Sequence, residues 1–210
     1  MLCQMNEERR KKEELIERII KEKGEEAFPK LIELLEDEDP EVKEIVAEVF
    51  YRFGDKAREF LFNEIQKRRE KGFEKNDITN LYIVDILGDL GEKRMKNILY
   101  ELMEKYDSEE ALLVIYEALA KIGEGEVFLP ELEYLMFEDS YRKELCEQVA
   151  MVLAHIPNEK SLKILLRSLK SNEFSEDQKE FFRKAVEMIL YKKPELASLI
   201  DENERKEMGL

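Results

Sequence analysis

The chain has 210 residues, of which 35 are Lys or Arg and 50 are Asp or Glu, giving a formal net charge of −15; it holds one histidine, two cysteines and no tryptophan. That charge repels phosphate backbones and anionic lipid, so nucleic-acid and membrane-surface binding are disfavoured and a basic partner is favoured. Cys3 and Cys146 are too few for a disulfide framework and too far apart in sequence for a metal motif, which points to a reducing compartment.

No uninterrupted apolar run approaches membrane-spanning length. Met1 to Asn6 runs into Glu7-Glu8-Arg9-Arg10 without an apolar core, so no signal peptide is expected and the cytoplasm is the expected compartment. Charged residues make up 40% of the chain, which suits an elongated fold with much surface or the ion-pair-rich surface of a thermophile.

In chain order, Leu15, Ile16, Ile19 and Ile20 predict a helix over 7–23 that ends at Gly24. Phe28, Leu31, Ile32 and Leu35 predict a short helix opened by Pro29. Asp39-Pro40 caps the next helix, whose apolar set Val42, Ile45, Val46, Val49, Phe50 and Phe53 ends at Gly54. Ala57, Phe60, Leu61 and Ile65 form a less regular helix before the basic stretch Lys67-Arg68-Arg69-Glu70-Lys71-Gly72-Phe73-Glu74-Lys75, which is expected to be an inserted loop.

The six-residue frame then returns twice. Thr79, Tyr82, Ile83, Ile86, Leu87 and Leu90 precede Gly91, and Ala111, Val114, Ile115, Ala118, Leu119 and Ile122 precede Gly123. Between them Met95, Ile98, Leu99 and Leu102 repeat the first-helix set. Phe128, Leu132 and Leu135 continue that set, with Leu145, Val149, Val152, Leu153 and Ile156 before Pro157 as the matching second helix. Leu162, Leu165, Leu166 and Leu169 open the last pair, and Phe181, Ala185, Met188 and Ile189 before Lys193-Pro194 close it, with Lys184 and Lys192 on the nominally buried face.

Offsets i, i+3, i+4, i+7, i+8 and i+11 place six side chains on one helix face. The glycine and proline punctuation recurs every 30, 37, 32 and 34 residues, the spacing of stacked helical hairpins. The predicted fold is all-α: an α-α superhelix, or solenoid, of about five hairpins forming one domain over 1–210. It has an N-terminal half-repeat at 7–23, repeats over 24–193 and a cap or tail over 194–210.

Residues 27–55 read A-F-P-K-L-I-E-L-L-E-D-E-D-P-E-V-K-E-I-V-A-E-V-F-Y-R-F-G-D. This resembles the short HEAT-like repeat of the phycobilin-lyase type, with Lys43 at its basic position, Ala47 at its small position and Gly54-Asp55 at its end; Gly91-Glu92 and Gly123-Glu124 repeat that ending. The resemblance implies that second helices line a concave face.

Opposite the core stripe lie Glu44, Glu48, Tyr51 and Asp55, and the equivalents of Glu48 are Asp85, Glu117, Met151 and Glu187. Four acidic residues of five predict a negative ladder that attracts Lys- or Arg-rich partners. Beside it Leu81 and Leu113 align with Glu44, Gly88, Ala120 and Ala154 align with Tyr51, and Tyr116 aligns with Ala47, which together suggest an apolar groove floor. The predicted partner-binding residues are Glu48, Tyr51, Leu81, Asp85, Leu113, Tyr116, Glu117 and Met151. The basic stretch, through Lys67, Arg68, Arg69, Lys71 and Phe73, is a secondary candidate.

No metal or cofactor site is expected, and no residue set amounts to a catalytic centre. His155, the single histidine, is followed by Ile156, so the His-Glu pairs of HEAT-like di-iron hydroxylases are missing. The basic, tryptophan-bearing face of HEAT-like glycosylases is missing too. The expected function is a protein-interaction scaffold for a partner with basic and apolar groups. The alternatives are a bilin-lyase-like enzyme or cofactor-attachment chaperone, nucleic-acid binding through the basic stretch, and a homodimer contact through the groove.

Overall fold

A computed structural model describes residues 2–202, 205 and 206, and within them the side chains of residue 7 and of residues 9 onward. Cys3 and part of the predicted 194–210 tail lie outside the described residues or side chains. Eleven α-helices and four 3-10 turns occur among the described residues, with no strand, so the all-α expectation holds. The chain divides into two compact units, Met1–Tyr106 and Asp107–Leu210.

The first unit holds α1 (Leu2–Glu22), α2 (Phe28–Leu34), α3 (Pro40–Phe53), α4 (Asp55–Lys71), α5 (Ile78–Asp89) and α6 (Lys96–Met103). Asp39 caps α3 by accepting from Glu41 N at 2.9 Å, with Pro40 at the first position, where no intrahelical N–H bond is lost. Asp77 caps α5 by accepting from Thr79 N at 2.8 Å. At Gly91, φ +68 lets Glu92 N reach Leu87 O at 2.9 Å and Gly91 N reach Gly88 O at 3.0 Å, the double bond that closes a helix C-terminus.

Inside this unit α1 packs on α3 and α3 on α5, while α2 and α4 pack against α3, and α4 against α5. Phe28 is the centre of an aromatic knot, with ring centroids 5.5 Å from Phe50, 4.8 Å from Phe53 and 5.0 Å from Phe60. Ile83, Ile86, Leu87, Met95, Ile98, Leu99 and Leu102 are all buried, as the repeated frame requires.

One prediction for this unit fails. Lys67 to Lys71 are not loop: α4 runs unbroken for 17 residues to Lys71, and only a short connection follows. Lys, Arg, Glu and Gln are strong helix formers. Arg68 also pairs with Glu64 one turn back, and cations in the last turn suit the negative helix end.

The second unit holds α7 (Glu109–Lys121), α8 (Leu129–Phe137), α9 (Asp139–Ala154), α10 (Glu159–Lys170) and α11 (Glu176–Lys192). Here α7 packs on α9 and α9 on α11, while α8 and α10 pack against the α9 and α11 row and against each other. Gly123 closes α7 as Gly91 closes α5, with Glu124 N to Leu119 O at 2.8 Å. Ser175 and Gln178 form a reciprocal capping box at the start of α11.

Of the frame proposed for α11, Ala185 and Ile189 are buried as expected, but Phe182 and Val186 join them in place of Phe181. Phe182 and Val186 are 0% exposed, whereas Phe181 is 39% exposed. Phe182 meets Phe174 edge-on at 4.9 Å and Phe174 meets Phe137 at 6.0 Å, a contact chain that fixes the rotation. Lys184 accordingly points outward, with its ammonium 5.7 Å from the Phe181 ring.

Candidate functional site

In the first unit the predicted partner-binding residues Glu48, Tyr51, Leu81 and Asp85 are all half-buried. Arg52 donates to Glu48 at 2.8 Å and forks onto Glu13 of α1 at 2.7 and 2.8 Å. Those two carboxylates raise Arg52 above the ordinary guanidinium range, and the Arg52 hydrogen bond lowers Glu13. Glu44 takes the Lys12 ammonium, and the Tyr51 hydroxyl donates to Asp89 at 2.7 Å. Glu48 is thus answered by Arg52 of its own helix and Glu44 by Lys12 of α1.

In the second unit two predicted groove residues are core. Leu113 is 0% exposed and Tyr116 is 7% exposed. Tyr116 stacks on Phe128 with centroids 4.5 Å apart, and burial pushes its phenol up. Ala118, Ala120, Ala150 and Ala154 are buried around them, and such small side chains let α7 and α9 approach closely. Helix packing, not a partner, occupies this floor. Met151 and Glu117 are half-buried.

Glu117 belongs to a constellation that sequence reasoning missed. Lys121 Nζ lies 3.0 Å from its Oε1, and His155 Nε2 lies 3.8 Å from the same oxygen. Lys192 donates to Ala154 O at 3.1 Å and to His155 Nδ1 at 3.2 Å. An ammonium can only donate, so Nδ1 accepts and the imidazole N–H sits on Nε2, toward Glu117. The signal was present in outline, because Lys121, His155 and Lys192 all mark the ends of second helices, where cations suit the dipole. The groups satisfy one another across α7, α9 and α11, so the arrangement is a clasp.

A different place in the second unit carries unanswered charge. The N-terminal ends of α7 and α9 border a hollow of about 350 Å³ lined by Asp107, Glu109, Glu110, Tyr141 and Glu144. Glu109, Glu110, Glu131 and Glu144 make no ion pair among the described residues. Tyr134 is 50% exposed, with its ring 5.9 Å from that of Tyr141. The Glu109 charge, then burial, raises the Tyr141 phenol, and the hydroxyl hydrogen-bonds the Glu109 carboxylate. A cationic group entering this hollow meets carboxylates and the Tyr141 side chain.

The basic stretch gives little free positive charge. Arg68 bonds Glu64 at 3.4 Å and Asp77 at 3.2 Å, Arg69 forks onto Glu101, and Lys67 lies 3.7 Å from Glu64. Phe73 is half-buried and Lys71 is exposed. A phosphate would compete with carboxylates already in place. Cys146 is buried, and desolvation pushes its thiol up to about 11, the behaviour of a small core hydrophobe.

Among the described residues no group of histidine, cysteine and carboxylate side chains is placed to hold a metal ion, and no helix is long and apolar enough to cross a membrane. No family model, curated protein or solved structure matches the chain.

Proposed function

We propose that the protein is a HEAT-like helical-repeat scaffold that holds a partner segment carrying Lys or Arg together with apolar residues, and that the contact lies at the α7–α9 hollow. Its hairpins stack as a solenoid, each unit contributing a row of second helices. The single observation that carries the reading is the set of carboxylates Glu109, Glu110, Glu131 and Glu144, which make no ion pair among the described residues and lie beside the half-buried Tyr141 and the exposed Tyr134. Opposite charge on a partner speeds encounter and fixes register, and a tyrosine face adds cation–π attraction once the cation is desolvated.

The test is binding of a labelled peptide of alternating lysine and leucine to the full chain. Glu109→Gln/Glu144→Gln should weaken it about thirtyfold, since each lost charged contact is worth about 1 kcal/mol. Glu44→Gln/Glu48→Gln makes the same change in net charge on the first unit and should leave it nearly unchanged. Equal weakening by the two pairs reduces the effect to net charge and overturns the assignment of the hollow.

A further inference from the structure

His155, the chain's single histidine, follows α9 directly as its C-terminal cap, with its side chain half-buried. Lys192 reaches across from the last turn of α11 and donates to Nδ1 at 3.2 Å and to Ala154 O at 3.1 Å. Both of these acceptors therefore belong to one dipeptide at the end of α9.

A neutral imidazole has one ring lone pair to offer, and here Lys192 uses it. A second proton can only land on Nδ1, because Nε2 already carries the first. Nδ1 then becomes a donor facing a donor, with two positive groups on either side of the contact. Rotating the Lys192 ammonium does not restore the bond, since an ammonium offers hydrogens alone. An ordinary imidazole makes this change at about pH 6.5, well inside the range that cells and their compartments span.

The surrounding charges leave the conflict in place. Glu117 of α7 faces Nε2 at 3.8 Å, but the same oxygen takes the Lys121 ammonium at 3.0 Å. Across a hollow that His155 lines stand Glu126, ahead of α8, and Lys193, just past α11, with the neutral Asn158 side chain at the start of α10. The ring thus gains its charge among three lysines and two glutamates.

We infer that His155 is an acid-sensitive latch: a proton on Nδ1 releases Lys192 and loosens the last turn of α11 from α9. That turn is built to respond. Its closing bond runs from Lys193 N to Ile189 O at 2.8 Å, and Pro194 has no N–H with which to extend the ladder. The 3-10 turn Pro194–Leu199 follows at once and packs on α11, so it shares the loosening.

The test compares the isotope-labelled full chain at about pH 7.5 and about pH 5, on either side of an ordinary imidazole titration. At the higher pH the ring nitrogen signals should show the Nε2–H tautomer. As His155 titrates, exchange of the Lys193 and Leu196 amides, corrected for intrinsic rates, should quicken about fivefold, the worth of one such hydrogen bond. The Leu165 and Leu169 amides of α10 should stay unchanged. His155→Asn keeps an acceptor oxygen that does not titrate, and Lys192→Met removes the ammonium that is repelled; each should abolish the acceleration. An Nδ1–H tautomer at the higher pH, no acceleration in the wild type, or equal acceleration in His155→Asn overturns the inference.

Discussion

Lys192 Nζ donates to His155 Nδ1 across 3.2 Å, tying the end of α11 to the end of α9. Burial first, and then the nearby Lys121 ammonium, lower the Lys192 pKa below its ordinary 10.5, while Glu117 pulls the other way. The folded chain thus holds this proton less tightly than the unfolded chain. Unfolding takes up a proton between the lowered value and 10.5, so stability contributed by Lys192 rises with pH across that window and is absent below it. Urea midpoints measured through the alkaline range should rise less steeply in Lys192→Met than in the wild type. The difference isolates Lys192 from Tyr106 and Tyr116, whose raised phenols act in the opposite sense. Parallel curves would show that the amine is not held as described.

The rotation of α11 makes neighbouring phenylalanines unequal. Phe182→Ala should cost about 3–5 kcal/mol and Phe181→Ala under about 1 kcal/mol, measured by chemical denaturation. The same experiment settles the place of Leu113. As a fully buried residue of α7 it should lose about 2–5 kcal/mol on Leu113→Ala, a value that a groove-lining side chain would not approach.

Gly125 is fixed by space and not by backbone angle. A Cβ there would lie 2.7 Å from Ala120 Cβ, 2.8 Å from Ala120 Cα and 2.9 Å from the Ile156 terminal methyl. Gly125→Ala should destabilise the protein by about 1–3 kcal/mol, because a backbone atom of α7 cannot move aside as a side chain can. Adding Ala120→Gly removes one of the three clashes, so the double variant should lose less than the sum of the singles. Thermal melts of the four proteins give that coupling directly.

Where the sequence was legible, local physics decided the outcome. The cap at Asp39, the closing glycines Gly91 and Gly123, and the buried sets Ile83-Ile86-Leu87 and Leu162-Leu165-Leu169 follow from backbone geometry and from the period of a helix face. In α11 the periodicity places Ala185 and Ile189 correctly but not the phenylalanine, because Phe181 and Phe182 are adjacent and equally apolar. Only contact with Phe174 distinguishes them. The basic stretch resembles a loop in charge density, but Lys67 to Lys71 favour helix and Arg68 pairs with Glu64 one turn back.

The candidate sites were far less legible. Glu48 and Glu117 occupy equivalent positions by count, yet Glu48 meets Arg52 while Glu117 meets Lys121 and His155, a difference that one dimension does not show. By itself the sequence determined that the chain is helical, where most helices begin and end, and which stripe of each is apolar, since these depend on residues within a few turns of one another. Tertiary structure alone decided that Arg52 reaches Glu13, that Lys192 and Glu117 meet at His155, and that Asn80 is left with an open acceptor. Each of those relations joins side chains tens of residues apart, or depends on which polar atom a fold happens to leave unpaired, and hydrogen bonds and ion pairs act only over a few ångströms in space.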